Sequence, residues 1–305
     1  MDEQTDVSYT RAAVAAAEHG INFIDTSLNY RNQHSERAIG AALKELIARG
    51  ISRDELVLCT KAGYLVPDAV PQGLLQSGDV VGRMHSMAPA FLEDQLSRSL
   101  TNLGVDSIDV FYLHNPETQL GYIDQDEFYR RAGDAFAFLE EAVRGGKIGW
   151  YGTATWSGYR EAGSLSLARL CEAAVRAGGD GHHFRFVQLP YNLGMTEAYT
   201  AHTQNVNGAS HSLLDAAAHF DVTVVASASL LQARLTRGLP KEIAARLGPA
   251  TTDAQRAIQF TRSAPGITVA LAGMSQDAHV AENAAVAGFA PLDGREYAAL
   301  FESRP

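Results

Sequence analysis

Apolar residues along the chain alternate between two patterns, a short unbroken run and then a longer stretch with helical spacing. The short runs are Ile21–Thr26, Leu56–Ala62, Ile108–His114, Ile148–Ala154, Phe184–Leu189, Val222–Ser227 and Thr268–Gly273. They are continuous rather than alternating, as parallel strands covered on both faces require. The longer stretches predict helices. Val7–His19 reads as one, closed by Gly20. In the next, Ser35 reads as an N-cap, and Ala38, Ile39, Ala42, Leu43, Leu46 and Ile47 form one face before Gly50 stops it. Leu92, Leu96, Leu100 and Leu103 repeat the device before Gly104, and further stripes lie in Ala135–Val143, Leu165–Val175, Leu213–Phe220, Thr252–Thr261 and Ala278–Ala287. Asp293 and Glu296 form a capping box that opens a last short helix.

Repeated strand–helix units predict a parallel sheet with right-handed crossovers. With no linker or shift of composition in 305 residues, a single α/β barrel over residues 1–305, of the (β/α)8 type, is favoured over a doubly wound sheet. The count falls short, because only seven strands are found where such a barrel has eight. Only six residues precede Val7, too few for a strand and its turn, and the C-terminal tail is helical. The expectation is a barrel whose first strand is missing, with a gap beside Ile21–Thr26 and Thr268–Met274, and a natural start that lies further upstream. The glycine- and proline-rich segment Gly63–Pro89 is expected to form a loop over the barrel mouth.

Composition narrows the functions rather than naming one. A net charge of −10 argues against a nucleic-acid surface and against an anionic lipid surface. No run reaches the eighteen or so apolar residues of a membrane span. Met-Asp-Glu-Gln-Thr-Asp at the start is unlike a secretory signal, so a cytoplasmic location is expected. Cys59 and Cys171 make no disulfide framework, and Cys59, inside an apolar run, reads as a small buried hydrophobe.

Barrel enzymes work from the C-terminal ends of their strands. Three consecutive strands end on Asp25, Lys61 and His114, with Tyr30 just after the first. A lysine at the end of an apolar strand demands a carboxylate partner, and Asp25 is the candidate. Together the four residues suit carbonyl reduction. Hydride reaching a carbonyl carbon creates an alkoxide, which needs a proton donor and a polarising hydrogen bond. A tyrosine hydroxyl is a poor acid at neutral pH unless a nearby cation stabilises its phenolate. Tyr30 is thus the expected donor, Lys61 its cation, Asp25 the lysine's anchor, and neutral His114 a hydrogen-bond donor to the substrate oxygen.

At this point a resemblance is explicit. Gly20-Ile-Asn-Phe-Ile-Asp-Thr-Ser-Leu-Asn-Tyr30, continuing through Ser35-Glu36 to Gly40, resembles the aldo-keto reductase signature around its catalytic Asp and Tyr. Leu58-Cys-Thr-Lys61 is similar to the strand carrying that family's lysine. Leu100-Thr-Asn-Leu-Gly-Val-Asp-Ser-Ile-Asp109 and Leu113-His114-Asn-Pro116 resemble the segment leading into its histidine. Gly273-Met-Ser-Gln-Asp-Ala-His-Val-Ala-Glu-Asn283 resembles the family's segment for the adenosine end of the cofactor. The resemblance implies reduction of a small-molecule carbonyl substrate with NADP, NAD being possible, bound across the barrel top without a Gly-x-Gly-x-x-Gly fingerprint. It implies cofactor contacts from Thr155, Gln188, Ser227, Gly273, Ser275, His279, Glu282 and Asn283. Three positions depart from the pattern. Ala154-Thr155 stands where the family usually has Ser-Asn, Ser227 where an aromatic stacks on the nicotinamide, and Ser275 where a Lys or Arg grips the 2′-phosphate, leaving His279 as the nearest cation.

Other features read as structural or stay open. His182-His183 suggests a surface turn rather than a metal site, and no metal ligand set is expected. His85 could face the pocket or solvent. Tyr64, Tyr151, Trp156 and Tyr191 are expected near the mouth, where aromatics suit an apolar or ring-bearing substrate. Two other functions stay open, a barrel acting as a binding or regulatory subunit and a lyase or isomerase reusing the four residues. Oligomeric state is left open.

Overall fold

The structure, a computed structural model, describes residues 2–302. Seven parallel strands pair in chain order: β1 (Phe23–Asp25), β2 (Val57–Ala62), β3 (Ile108–His114), β4 (Ile148–Ala154), β5 (Phe184–Pro190), β6 (Thr223–Ser227) and β7 (Ile267–Ala270). They curl into a nearly closed barrel in which β1 and β7 are not paired. The seven strands and the gap agree with the sequence reading. The outer strands are shorter than expected, however. β1 is three residues and β7 four. An edge strand finds hydrogen-bond partners on one side only, so pairing dies out sooner at its ends.

Around the sheet lie α1 (Glu3–Glu18), α2 (His34–Ala48), α3 (Pro89–Leu103), α4 (Gln125–Arg144), α5 (Leu167–Gly178), α6 (Leu213–His219), α7 (Asp253–Ser263), α8 (Asp277–Ala284) and α9 (Gly294–Ala299). Where the sheet is open, the helical layer is not. Ala12 and Ala16 of α1 pack on Val280 of α8, and Arg11 meets Asp277 at 2.6 Å. Helix ends follow from local chemistry. Pro89 opens α3, Gly104 closes it in the left-handed region at φ 67°, and Thr252–Gln255 and Asp293–Glu296 form capping boxes on α7 and α9. Ser35 does not cap α2, contrary to expectation. The cap is Gln33 at φ 72°, after Arg31 and Asn32 at φ 50° and 51°, and Ser35 Oγ lies 2.8 Å from Thr26 Oγ1 instead. Three left-handed residues in a row carry the chain from β1 into α2, so the helix begins one residue before the serine.

The continuity of the apolar runs has a simple cause: β2 to β5 are covered on both faces. Outward residues such as Leu58, Phe111, Leu113, Tyr151 and Val187 join the helices in one core. Inward residues form a second cluster of Cys59, Val110, Tyr112 and Ala154, with Phe23, Val57 and Phe186 packed against it. Cys59 is wholly buried, as expected. Strand side chains alternate with period two, so the next inward position beyond Phe23, Cys59, Tyr112 and Phe186 is Asp25, Lys61, His114 and Gln188 respectively. An apolar plug at mid-barrel thus supports a polar layer at its top. Phe186 fits because β4 has Gly152 beside it, where a Cβ would lie 1.9 Å from the Phe186 carbonyl oxygen. Gly152→Ala is expected to cost ~1–3 kcal/mol through overpacking, read as an earlier midpoint in urea unfolding.

The segment Gly63–Pro89 is largely loop, with a small hairpin of Val80–Val81 against His85–Ser86. Among the described residues no helix is long and apolar enough to cross a membrane.

Candidate active site

The polar layer is held together by an ion pair. Lys61 is completely buried, and its Nζ donates to Asp25 Oδ2 at 2.5 Å and to the Thr26 carbonyl at 2.8 Å. Burial alone disfavours a charged lysine, but the Asp25 carboxylate outweighs it and holds the pKa above the ordinary lysine value. Gln188, reaching across the barrel from β5, donates from Nε2 to the other Asp25 oxygen at 2.8 Å. Asp25 is thereby fixed from two sides.

Tyr30 sits in the loop after β1 and is partly exposed. Lys61 Nζ lies 5.1 Å from the centre of its ring, and the His114 ring meets it edge-on at 5.7 Å. His114 is almost wholly buried, with Nδ1 3.1 Å from Ser27 Oγ. Burial first, then the positive charge of Lys61 and the neighbouring His85, keep its pKa well below 6.5, so His114 is neutral at physiological pH. The structure therefore brings Asp25, Tyr30, Lys61 and His114 together, with Gln188 behind the aspartate. Tyr112 forms the floor, its buried hydroxyl lacking a hydrogen-bond partner.

Several supporting contacts escaped the sequence reading. His85 is fully buried, which settles its open placement: Nε2 donates to the His114 carbonyl at 2.8 Å and Nδ1 accepts from Gln119 Nε2 at 2.9 Å. Both nitrogens are satisfied in the neutral form, and burial lowers the pKa from 6.5 to about 4. Because the unfolded chain binds this proton more readily, its contribution to stability is complete above pH 6.5 and lost as pH falls toward 4. The shift from 6.5 to about 4 corresponds to ~3 kcal/mol. Thermal melts of His85→Gln should accordingly fall less than those of the parent between these pH values. Parallel curves would show that His85 does not carry this dependence.

Glu117 organises the opposite wall. Its Oε1 accepts from the backbone N–H of Trp156, Ser157 and Gly158 at 2.7, 3.1 and 3.3 Å, fixing the loop after β4. No local motif announces such a contact, since it joins segments forty residues apart. Tyr64 stands at the mouth as expected, 5.3 Å from both histidine rings, and Trp156 is exposed there. The other two aromatics do not reach it. Tyr151 points outward and donates to Glu140 at 2.9 Å, and Tyr191 pairs with Tyr297 at 2.6 Å under the helical layer. Tyr151 in β4, and Tyr191 one residue past the end of β5, have the wrong parity for the interior. His183 turns to Glu140 and His182 to Arg185, so the two rings diverge.

The residues assigned to a cofactor by resemblance are more scattered. Thr155 is buried, its N–H on the Gln188 carbonyl at 2.8 Å. Ser227 ends β6 half-buried, Gly273 is exposed just past β7, and Ser275 is half-buried ahead of α8. Within α8, His279 is exposed, Glu282 is half-buried and Asn283 is buried.

Comparison with known proteins places this geometry. The aldo/keto reductase family model matches residues 2–239, so the segment from Gly273 to Asn283 lies outside the matched span. A Pseudomonas D-threo-aldose 1-dehydrogenase is 34% identical over 111 residues, covering 34% of this chain and 32% of that protein. A Schizosaccharomyces pombe protein with a provisional name as a voltage-gated potassium channel subunit beta is 31% identical over 163 residues, covering 52% of this chain and 39% of its own. The chain thus matches under two fifths of the length of either relative. Among solved structures, a Klebsiella pneumoniae aldo/keto reductase in complex with NADP and acetate superimposes with a TM-score of 0.68 at 23% identity, over 98% of this chain and 86% of that one. That likeness concerns the fold.

Proposed function

Because the chain belongs to the aldo/keto reductase family, we propose that it is an NAD(P)H-dependent oxidoreductase reducing an aldehyde or ketone to an alcohol, with Asp25, Tyr30, Lys61 and His114 as its reacting group. The observation that carries this reading is the buried Lys61–Asp25 pair beneath the ring of a partly exposed tyrosine, beside a neutral histidine. When bound, a nicotinamide would supply hydride to the carbonyl carbon. Tyr30 gives its hydroxyl proton to the resulting alkoxide, and the ammonium of Lys61 stabilises the phenolate left behind. Asp25, braced by Gln188, keeps Lys61 charged and in place.

The chain offers groups that fit such a cofactor. The Ser229 hydroxyl, just past β6, is buried without a partner, and α8 begins without a side-chain cap at Gln276, next to Ser275. Free N–H groups at a helix start suit a phosphate. In this reading Ser227 and Ser229 hold the middle of the cofactor, Thr155 and Gln188 flank the nicotinamide, and Gly273, Ser275, His279, Glu282 and Asn283 hold the adenosine end. One arginine at this end, Arg11, is paired with Asp277. Discrimination between NADPH and NADH should therefore be weak. Ser275→Arg should tighten NADPH by about 10–100-fold, the scale of a charge-assisted contact, and leave NADH nearly unchanged. Equal Kd changes for both would show the 2′-phosphate lies elsewhere.

The direct test is a screen of carbonyl compounds with both cofactors, following nicotinamide absorbance. The likeness to the provisional channel subunit favours a second reading, a regulatory or binding subunit. Cofactor binding with no turnover on any compound would support it against the first.

A further inference from the structure

We propose that Arg131, Gln119 and His85 form a one-way hydrogen-bond chain that positions His114 from outside the barrel. Its consequence for catalysis rests on the reductase reading; the chain itself rests on geometry alone. The direction of donation is fixed at both ends. Arg131 on α4 can only donate, and its Nη1 lies 3.1 Å from Gln119 Oε1. The His114 carbonyl can only accept, so His85 Nε2, 2.8 Å away, carries the proton of the neutral ring. Between these ends, Gln119 Nε2 lies 2.9 Å from His85 Nδ1 and 3.4 Å from the His85 carbonyl. Turning the Gln119 amide would set its NH2 against the guanidinium and its oxygen against a carbonyl. Each link therefore donates toward His114, and bonds aligned in this way strengthen one another.

The chain arrives where His114 needs support. β3 ends at this residue, and Asn115 beyond it turns into the left-handed region at φ 48°. Gly63 leaves room for the last link, since a Cβ there would lie 2.5 Å from the His114 oxygen and 2.7 Å from His85 Nε2. His85 and Gln119 are both fully buried, so bulk water does not compete for these bonds. Arg131 is itself anchored, with Nε on Glu127 Oε1 at 2.7 Å. Arg131, Gln119 and His85 are thus positioning residues. They act through the backbone of His114, whose ring meets Tyr30 edge-on. Helix α4, on the outside of the barrel, is thereby coupled to the reacting group.

Nitrogen-15 NMR of histidine-labelled protein reads the chain directly, with His85 assigned by its loss in His85→Gln. At neutral pH the unaltered protein should show His85 uncharged, with its proton on Nε2. Gln119→Glu presents a carboxylate to Nδ1, so His85 should there be doubly protonated at the same pH. An Nδ1–H tautomer in the unaltered protein, or an uncharged His85 in Gln119→Glu, would overturn the chain. Turnover reads the positioning. His85→Leu removes the last donor and should lower kcat by about 10–100-fold with KM far less changed, because a slight displacement weighs on the chemical step. His85→Gln keeps an N–H near the same place and should restore most of the rate. No loss in His85→Leu, or an equal loss in both variants, would refute the positioning role. If His85→Leu does not fold, Arg131→Met takes its place, and an unchanged kcat there counts against the proposal. The His114 ring signals should move in either variant whether or not the protein turns over. Those shifts in a protein that reduces no carbonyl would sink the reductase reading and leave the chain standing.

Discussion

Tyr30→Phe is expected to lower kcat for carbonyl reduction by about 10²–10⁴-fold, the usual scale for removing a general acid. The substitution keeps the ring, so the edge-on contact with His114 and the position over Lys61 survive it. The side chain is partly exposed, and among the described residues its hydroxyl makes no hydrogen bond that folding would miss. Melting temperature should therefore stay close to that of the parent. Cofactor Kd, measured by fluorescence titration, should also be nearly unchanged, because the lost group serves the alkoxide rather than the nicotinamide. Such a pattern, kcat reduced with binding and stability intact, marks an interaction made only in the transition state. Full activity in the phenylalanine variant would remove Tyr30 from the mechanism and leave the screen above to find another donor.

How far residues announce this site depends on the distance over which they act. Asp25, Lys61 and His114 end consecutive strands, and the end of a barrel strand is a position that apolar runs mark in the sequence. Tyr30 follows by a short loop. The same periodicity misplaced Tyr151 and Tyr191, because nearness to a strand end says nothing of which face a residue takes, and one residue reverses it. The contacts of Ser27, Gln188, His85 and Glu117 escaped for another reason. Each acts through a partner brought up by the closure of the barrel or the folding of a loop, from Gln188 on Asp25 to Glu117 on the loop after β4. Ser27 came closest to being visible. It lies in the same short motif as Asp25 and Tyr30, but its contact is with a histidine on the third strand. At the seam, missing strand and short edges have one origin. A strand with no neighbour is legible as a shortfall in the count, whereas the α1–α8 packing that spans the gap depends on alanines any helix could carry.

Lys61→Met should abolish turnover and, unlike Tyr30→Phe, also destabilise the fold. The lysine is completely buried and holds both Asp25 and the Thr26 carbonyl. Methionine matches its length and apolar stem, so packing changes little, but the Asp25 carboxylate keeps only Gln188 in a largely enclosed site. Removing one partner of a buried pair typically costs 3–5 kcal/mol, chiefly through the unpaired charge that remains. The two roles separate in a second variant. Adding Asp25→Asn to Lys61→Met removes the stranded charge, so urea unfolding should recover much of the lost stability. Activity should not return, because Tyr30 still lacks its cation. Stability recovered without activity would place the ion pair in the chemistry as well as in the fold. A single Lys61→Met variant as stable as its parent would show instead that Asp25 is adequately solvated alone, and that the pair is kept for proton transfer rather than for holding the barrel top together.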